Sequence, residues 1–295
     1  MKLFRIAKLN LLHWHRNHQY AVVLLYLIFY GFNRFRGLAY YASDLGVKIT
    51  PWVFPFLPCM GASFLPFMLG YMLWIADAPF RTKQQGLVIL RTGKRLWLAG
   101  QLVYLLIVSV FFTVLLWIIS WLWLLPEVTW SREWGAVLST TAMNGVPGEY
   151  GVYMQFPYTV MKNMDPLCVT LWCATAMIAI CFLLGVITTA CNLWLRKGCG
   201  ATFMATIAAI SVIPNLRAIN PGPIKLVLWI SPLNWMDYSL MGHPEQYLPS
   251  HGFAIWGPAV LGLGLSALLL LTIGKCNIET DKEWKLWTML SKSEM

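Results

Sequence analysis

Six stretches of the chain are dominated by apolar residues and contain almost no acid or base. A helix of about 20 apolar residues crosses the hydrocarbon core of a bilayer, so this pattern predicts helices that span a membrane. The runs cover residues 20–32, 57–76, 96–125, 167–193, 201–213 and 253–273. The first and fifth are too short to cross alone. We expect the first helix to begin near Trp14 and the fifth run to be a half-crossing that breaks at Pro214 and continues into a re-entrant stretch. Pro66 is expected to kink the second helix.

The segments around these runs complete the predicted architecture, an all-α polytopic membrane domain over residues 1–295 with about six transmembrane helices. Residues 1–18 are expected to form an amphipathic helix on the membrane surface, because their apolar residues share one helical face, opposite the basic ones. That apolar face consists of Leu3, Phe4, Ala7, Leu11 and Trp14. The first span is expected to be a permanent anchor, since no cleavage pattern follows the basic N-terminal residues. Residues 275–295 form the predicted cytoplasmic tail, in which a capping-box pattern at 280–283 precedes a short amphipathic helix.

Composition and charge agree with a membrane protein and suggest its orientation. Apolar residues make up 58% of the chain and charged residues 12%, which leaves too little polar surface to cover a soluble globule of this size. With both termini in the cytoplasm, 15 of the 22 lysines and arginines lie on the inner side, as basic residues do in multi-pass proteins. The outer segments 126–166 and 214–250 are then part of a nearly neutral face. The net charge of +10 therefore indicates topology and anionic lipid headgroups and does not favour a nucleic-acid partner.

Motifs for catalysis or for nucleotide binding are missing from the sequence. It contains no Walker A motif, no GxSxG or HExxH motif and no paired carboxylates, so no catalytic residue is predicted. The apolar runs contain almost no ionisable groups, which argues against transport coupled to an ion gradient. Two classes of function remain: a hydrophobic translocator whose energy is supplied by another protein, or a structural membrane subunit.

Histidines and cysteines offer a weaker alternative, a metal-handling membrane protein. His13, His15 and His18 cluster near the N-terminus, but on a helix His13 and His15 point about 200° apart. We therefore predict polar residues at the headgroup level here, and no metal site. The seven cysteines form no CxxC pair and are expected to be buried thiols without a disulfide framework.

The segment between the second and third runs, residues 77–95, has the pattern of a docking element. Its centre is apolar and lies between two basic clusters, at a place where a free loop should be polar. A short helix with an exposed apolar face could bind a groove on a cytoplasmic protein while the basic flanks stay at the headgroups. Alternatively, the patch packs on the ends of neighbouring helices. The candidate residues are Asp77, Arg81, Leu87, Val88, Leu90, Arg91, Lys94 and Arg95.

In this layout the chain resembles the membrane subunits of ABC-2 type transporters, the permeases of type V ABC exporters. The resemblance lies in six spans with both ends inside, an amphipathic first helix, an acid (Asp77) at the inner end of span two, a short apolar helix, and an Arg-containing turn (Arg91 to Arg95) before span three. Re-entrant helices between spans five and six also belong to the family pattern. The chain departs from it in having Asp77 where glutamate is common, in lacking a proline before the Arg turn, and in its long segment 126–166.

The resemblance implies a function and partners. The chain would be the non-catalytic permease of an ATP-driven exporter in a bacterial plasma membrane, bound to two copies of a separate ATPase that holds ATP and Mg. A second permease chain, identical or paralogous, would complete a route for a hydrophobic or amphipathic substrate such as a peptide, an antibiotic, a lipid or a drug. The residues implied to line the route are Phe64, Phe67, Met68, Tyr71, Met72, Phe203, Met204 and Ile207.

A further alternative is an immunity or sensor protein that binds a toxin peptide. Segment 126–166 is rich in aromatic residues and glycine, which suits an ordered lid on the outer face.

Overall fold

The computed structural model describes residues 2–12, 18–80, 85–152, 154–195, 198–213, 221–242 and 248–276. The predictions for His13, His15, Arg81, the break at Pro214 and the tail helix lie outside these ranges. The described helices are α1 (Lys2–Leu12), α2 (His18–Asp44), α3 (Leu65–Ile75), α4 (Gln85–Thr92), α5 (Lys94–Leu122), α6 (Gly135–Asn144), α7 (Tyr158–Asn163), α8 (Pro166–Trp194), α9 (Cys199–Val212), α10 (Pro221–Ile230) and α11 (His251–Thr272). Several 3-10 turns connect them.

Five helical stretches within the described ranges are long and apolar enough to cross a membrane. They are α2, the stretch Pro58–Ile75 that includes α3, α5, α8, and α11 extended to Lys275. Helix α9 has 14 residues, or about 21 Å at 1.5 Å per residue, which is less than the hydrocarbon thickness. The described residues contain no strand, only one isolated bridge between Ile49 and Val128. The chain is an all-α multi-pass membrane protein.

The first spanning helix is longer than its apolar run indicated. The prediction ended the run at residue 32, whereas α2 continues to Asp44. Two arginines in the extension have partners that let the helix continue. The Arg34 guanidinium lies 5.0 Å from the ring centroid of Tyr30, one helical turn earlier. Arg36 donates from Nη1 to the Leu125 carbonyl oxygen at 2.9 Å.

The second span is interrupted at a glycine. A 3-10 turn, Pro58–Phe64, precedes α3, and Gly61 within it has φ 57° and ψ −128°, a conformation that favours glycine. The expected kink at Pro66 was wrong. Pro66 lies in the first turn of α3, where a missing backbone N–H leaves no helical hydrogen bond unmade.

Helices α3, α5 and α8 meet at Tyr71, which is fully buried. Its hydroxyl donates to the Cys181 carbonyl oxygen at 2.6 Å and lies 3.0 Å from Ser109 Oγ. Gly185 on α8 lies at the same junction, where a Cβ would be 3.1 Å from Leu105 Cδ2 and 3.4 Å from the Tyr71 hydroxyl. One side chain thus connects three helices through polar contacts inside an apolar core.

Helix α1 packs across α5 near its start. Ile6 lies against Gly100, and Asn10 Nδ2 donates to Gln101 Oε1 at 2.8 Å. The two contacting residues on α1 are one helical turn apart, whereas their partners on α5 are neighbours in the chain. This difference indicates that the two helices cross at a steep angle. Of the expected apolar face, Ala7 is buried within the chain and Phe4 is 68% exposed, while Ile6 and Asn10 face α5, so the prediction of a membrane-surface helix stays a prediction. The missing side chain at Gly100 opens the space that Ile6 occupies.

Candidate functional site

Helix α4 is the centre of the candidate site, and one of its faces is fixed to the membrane domain. Val88 and Ile89 are partly buried against the hydrophobic core. The Thr92 hydroxyl donates to the Val88 carbonyl oxygen at 2.7 Å. Gly93, with φ 80°, ends the helix, and its backbone N–H donates to the Ile89 carbonyl oxygen at 2.7 Å. Because α5 begins at the next residue, α4 is joined to α5 by a single glycine.

The other face of α4 is apolar and uncovered. Leu87 is 62% exposed and Leu90 is 80% exposed. They are three residues apart and therefore share a face of the helix. Arg91 and Arg95 beside them are also exposed. The two alternatives for the apolar patch, packing on neighbouring helices and exposure to a partner, thus apply to different residues. Val88 and Ile89 pack on the membrane domain, whereas Leu87 and Leu90 remain exposed.

Lys94, another predicted site residue, faces the end of the last spanning stretch. Its Nζ donates to the Cys276 carbonyl oxygen at 3.1 Å, and the residue is half-buried. This bond connects the start of α5 with the end of the stretch His251–Lys275. Lys94 is therefore less available to a partner than Arg91 and Arg95.

Asp77 is exposed, and the backbone on both sides of it is held in place. Asn192, near the end of α8, donates from Nδ2 to the carbonyl oxygens of Ala76 at 3.1 Å and Ala78 at 2.6 Å. Asn192 was not predicted as a site residue, since a single asparagine near the end of an apolar run has no informative spacing. The structure brings it next to the predicted acid.

The residues implied to line a route are mostly packed inside the chain. Phe67 lies edge-on to Tyr30, with ring centroids 4.8 Å apart. Phe203 is 46% exposed. The seven buried members are Phe64, Phe67, Met68, Tyr71, Met72, Met204 and Ile207. A route lined by these seven would require the helices to move apart, so the assignment stays a prediction.

The outer segment 126–166 is ordered where described and is bound to neighbouring elements. The Tyr150 hydroxyl donates to Asp44 Oδ2 at 2.8 Å, and this hydrogen bond raises the pKa of Tyr150 to about 12. Trp134 Nε1 donates to the Met164 carbonyl oxygen at 2.9 Å, and the Thr50 hydroxyl donates to the Trp134 carbonyl oxygen at 2.6 Å. These bonds connect the segment to the end of α2 and to the stretch around Thr50 that follows it.

A buried carboxylate lies in a second outer segment, between α10 and α11. Asp237 Oδ1 accepts from the backbone N–H of Ser239 at 2.9 Å, from the Ser239 hydroxyl at 2.6 Å and from Cys59 Sγ at 3.2 Å. Burial raises the pKa of the Asp237 carboxyl. Asp237 caps the 3-10 turn Tyr238–Leu240, which accounts for its position by structure alone.

Cysteines and candidate metal ligands are scattered. In the part of the chain that the structure describes, no three of the residue types His, Cys, Asp and Glu are placed to hold a metal ion. All seven cysteines are free. The expectation of buried thiols was wrong for Cys168, which is exposed near the start of α8, whereas Cys59, Cys173 and Cys181 are buried.

Comparison of the chain with protein-family models, with curated proteins and with solved structures finds no match.

Proposed function

We propose that the chain is the non-catalytic permease subunit of an ATP-driven exporter and that α4 docks a separate cytoplasmic ATPase. The observation that carries this proposal is the exposed apolar face of α4, with two leucines flanked by exposed arginines. Burying a leucine side chain contributes about 1.5–3 kcal/mol, so covering Leu87 and Leu90 would give a partner a substantial part of its affinity. A short apolar helix that lies in a groove is a common mode of recognition.

The attachment of α4 to α5 suits transmission of movement. Val88 and Ile89 pack on the membrane domain, and only Gly93 separates the two helices. A rigid-body displacement of α4 by a closing ATPase dimer would therefore reach α5 without a flexible linker to absorb it. ATP binding would shift the membrane domain between two conformations, and hydrolysis would restore the first.

The proposed topology has six crossings with both ends in the cytoplasm of a bacterium. Helix α1 lies at the inner surface of the plasma membrane, as its steep crossing of α5 supports. Helix α9 forms the half-crossing of the fifth span, and α10 with the 3-10 turn Pro232–Met236 forms the outer re-entrant part. The basic residues then lie at anionic headgroups on the inner side.

The proposed substrate is hydrophobic or amphipathic, and a second permease chain, identical or paralogous, completes the route. The side chains of α3 and α9 that could become accessible when the helices separate are apolar or aromatic, and such a surface suits a peptide, lipid or drug better than a sugar or a free ion. Two leucines of α3, Leu69 and Leu73, are exposed in the present conformation. They are available to the second chain or to lipid.

Leu87→Asp and Leu90→Asp test the docking assignment. Each places a carboxylate on the exposed face of α4, so a partner that buries this face should be lost while membrane insertion is retained. The tagged wild-type chain, purified from its native host in a mild detergent, should bring along a Walker-motif ATPase with vanadate-sensitive ATP hydrolysis. Both variants should lose at least nine-tenths of that ATPase.

Leu45→Asp is the matched control, because Leu45 is an exposed leucine at the opposite, outer end of α2. It should retain the ATPase. The docking assignment is wrong if Leu87→Asp and Leu90→Asp recover the ATPase as fully as the wild type. Recovery of no ATPase by the wild type would instead favour a binding or sensory role.

A further inference from the structure

Asn192 is a buried polar residue near the end of α8 whose amide group is fully used. Its Nδ2 donates to Ala76 and Ala78, after the end of α3. Its Oδ1 accepts from the backbone N–H groups of Gly198 at 3.1 Å and Gly200 at 2.9 Å. A side-chain amide offers two donor hydrogens and one acceptor oxygen, so all of its hydrogen-bonding capacity is satisfied.

These four bonds join two helix ends that belong to different parts of the fold. The carbonyl oxygens after the last turn of a helix lack intrahelical partners, and so do the N–H groups of a first turn. Asn192 supplies the partners at the end of α3 and at the start of α9 together. The start of α9 is also tightly packed, because a Cβ at Gly200 would lie 2.6 Å from Thr188 Cγ2 and 2.9 Å from the Thr188 carbonyl oxygen.

We propose that Asn192 is a positioning residue that makes the start of α9 move together with the segment around Asp77. By binding the carbonyl oxygens on both sides of Asp77, it fixes this backbone and leaves the carboxylate exposed. Asp77 is one of the residues proposed to couple the chain to its ATPase, so Asn192 would connect that coupling residue's backbone to α9. This role extends the proposed coupling function and rests on it, whereas the mechanical joint itself can be tested without any partner.

Hydrogen exchange of the full chain in lipid nanodiscs, without ATP or ATPase, tests the joint. Two amides report on its two sides: Ala78, whose N–H donates to the Ile75 carbonyl oxygen, and Gly200, whose N–H donates to Asn192. Asn192→Asp keeps an acceptor for Gly200 but removes both donors, so Ala78 should exchange about tenfold faster while Gly200 stays protected. Asn192→Leu should accelerate both.

The decisive measurement asks whether a disturbance on one side reaches the other. Gly200→Ala forces the start of α9 away from Thr188 and from Asn192 Oδ1, which its Cβ would approach to 3.0 Å, and with Asn192 present it should also accelerate the exchange of Ala78 severalfold. In the double variant Asn192→Asp/Gly200→Ala, the Ala78 amide should exchange no faster than it does in Asn192→Asp alone. Such non-additivity is expected when both substitutions act through the same connection.

Thr189→Val is the matched control, since the buried Thr189 hydroxyl donates only within α8, to the Gly185 carbonyl oxygen. It should change neither reporter. The proposal is overturned if Gly200→Ala leaves Ala78 unchanged while Asn192 is present. If Gly200→Ala does not fold, the proposal still fails should Asn192→Asp leave Ala78 at the wild-type rate. Either result can occur while α4 still docks an ATPase, so the two proposals fail separately.

Discussion

Replacing Tyr71 with phenylalanine separates a packing role from a route-lining role at a residue implied to line the substrate path. The ring is fully buried, and its hydroxyl connects α3 to α5 and α8. Phenylalanine keeps the ring and its contact with Phe112, whose centroid is 5.0 Å away. Only the polar connection is lost.

The hydrogen-bond geometry limits the expected loss of stability. The single hydroxyl hydrogen of Tyr71 donates to Cys181, and Ser109 can donate instead to the Leu105 carbonyl oxygen at 2.9 Å. The Ser109 hydroxyl is therefore not left without a partner in the variant. Interhelical hydrogen bonds in membrane proteins contribute on average about 0.6 kcal/mol each, so losing the bond to Cys181 while Ser109 exchanges its partner should cost about 0.6 kcal/mol. Tyr71→Ala would also create a cavity and should cost about 3–5 kcal/mol.

Unfolding by SDS in mixed micelles, followed by circular dichroism, measures these differences. Tyr158→Phe is the control, because it removes a hydroxyl from an exposed tyrosine and should not change the free energy of unfolding. The packing account is refuted if Tyr71→Phe is as stable as Tyr158→Phe. That result would indicate that the Tyr71 hydroxyl faces an open, hydrated route.

Two further predictions concern a helix contact and an outer hydrogen bond. Gly100→Ala places a Cβ 2.6 Å from Ile6 Cγ2 and should destabilise the chain by displacing α1. Gly264→Ala, with open space around it, should instead stabilise α11 by up to about 1 kcal/mol. Unfolding by SDS measures both free energies, and equal effects of the two variants would contradict the packing of α1 on α5. The bond from Tyr150 to Asp44 raises the tyrosine pKa from 10.0 to about 12, so its stabilising effect should be complete below pH 10 and be lost as the pH rises through 12. Asp44→Asn should return that ionisation towards pH 10 in an absorbance titration at alkaline pH, and an unchanged titration would contradict the bond.

The spanning helices could be predicted from the sequence because lipid imposes a simple rule on composition. The run 167–193 corresponds to α8 (Pro166–Trp194), and the run 253–273 to α11 (His251–Thr272). The end of α2 was missed because Arg34 and Arg36 end an apolar window, although a ring and a backbone carbonyl accommodate their charges. Tyr30 lies one turn earlier on the same helix and Leu125 lies 89 residues away in the chain, and neither partner changes the hydropathy of the window that contains the arginines.

The candidate site was predictable only in part. An apolar patch between basic clusters indicated a short helix within residues 77–95, and the structure has α4 (Gln85–Thr92) there. Which leucines would remain exposed depends on how α4 lies on α5, and the sequence contains no signal for that. Asn192 was missed because its partners Ala76 and Ala78 are 116 and 114 residues away in the chain. Contacts of this kind are set by helix packing and not by spacing.

Photo-crosslinking from α4 in native membranes identifies what the exposed face of this helix contacts. A photoreactive amino acid at position 90 points away from the membrane domain, as the exposed Leu90 does, and one at the exposed position 45, just after the end of α2, serves as the control. The account predicts that position 90 forms an adduct with a Walker-motif ATPase and that position 45 does not. Adducts with lipid alone at position 90, in membranes that contain the folded chain, would contradict the assignment of α4 as the docking helix.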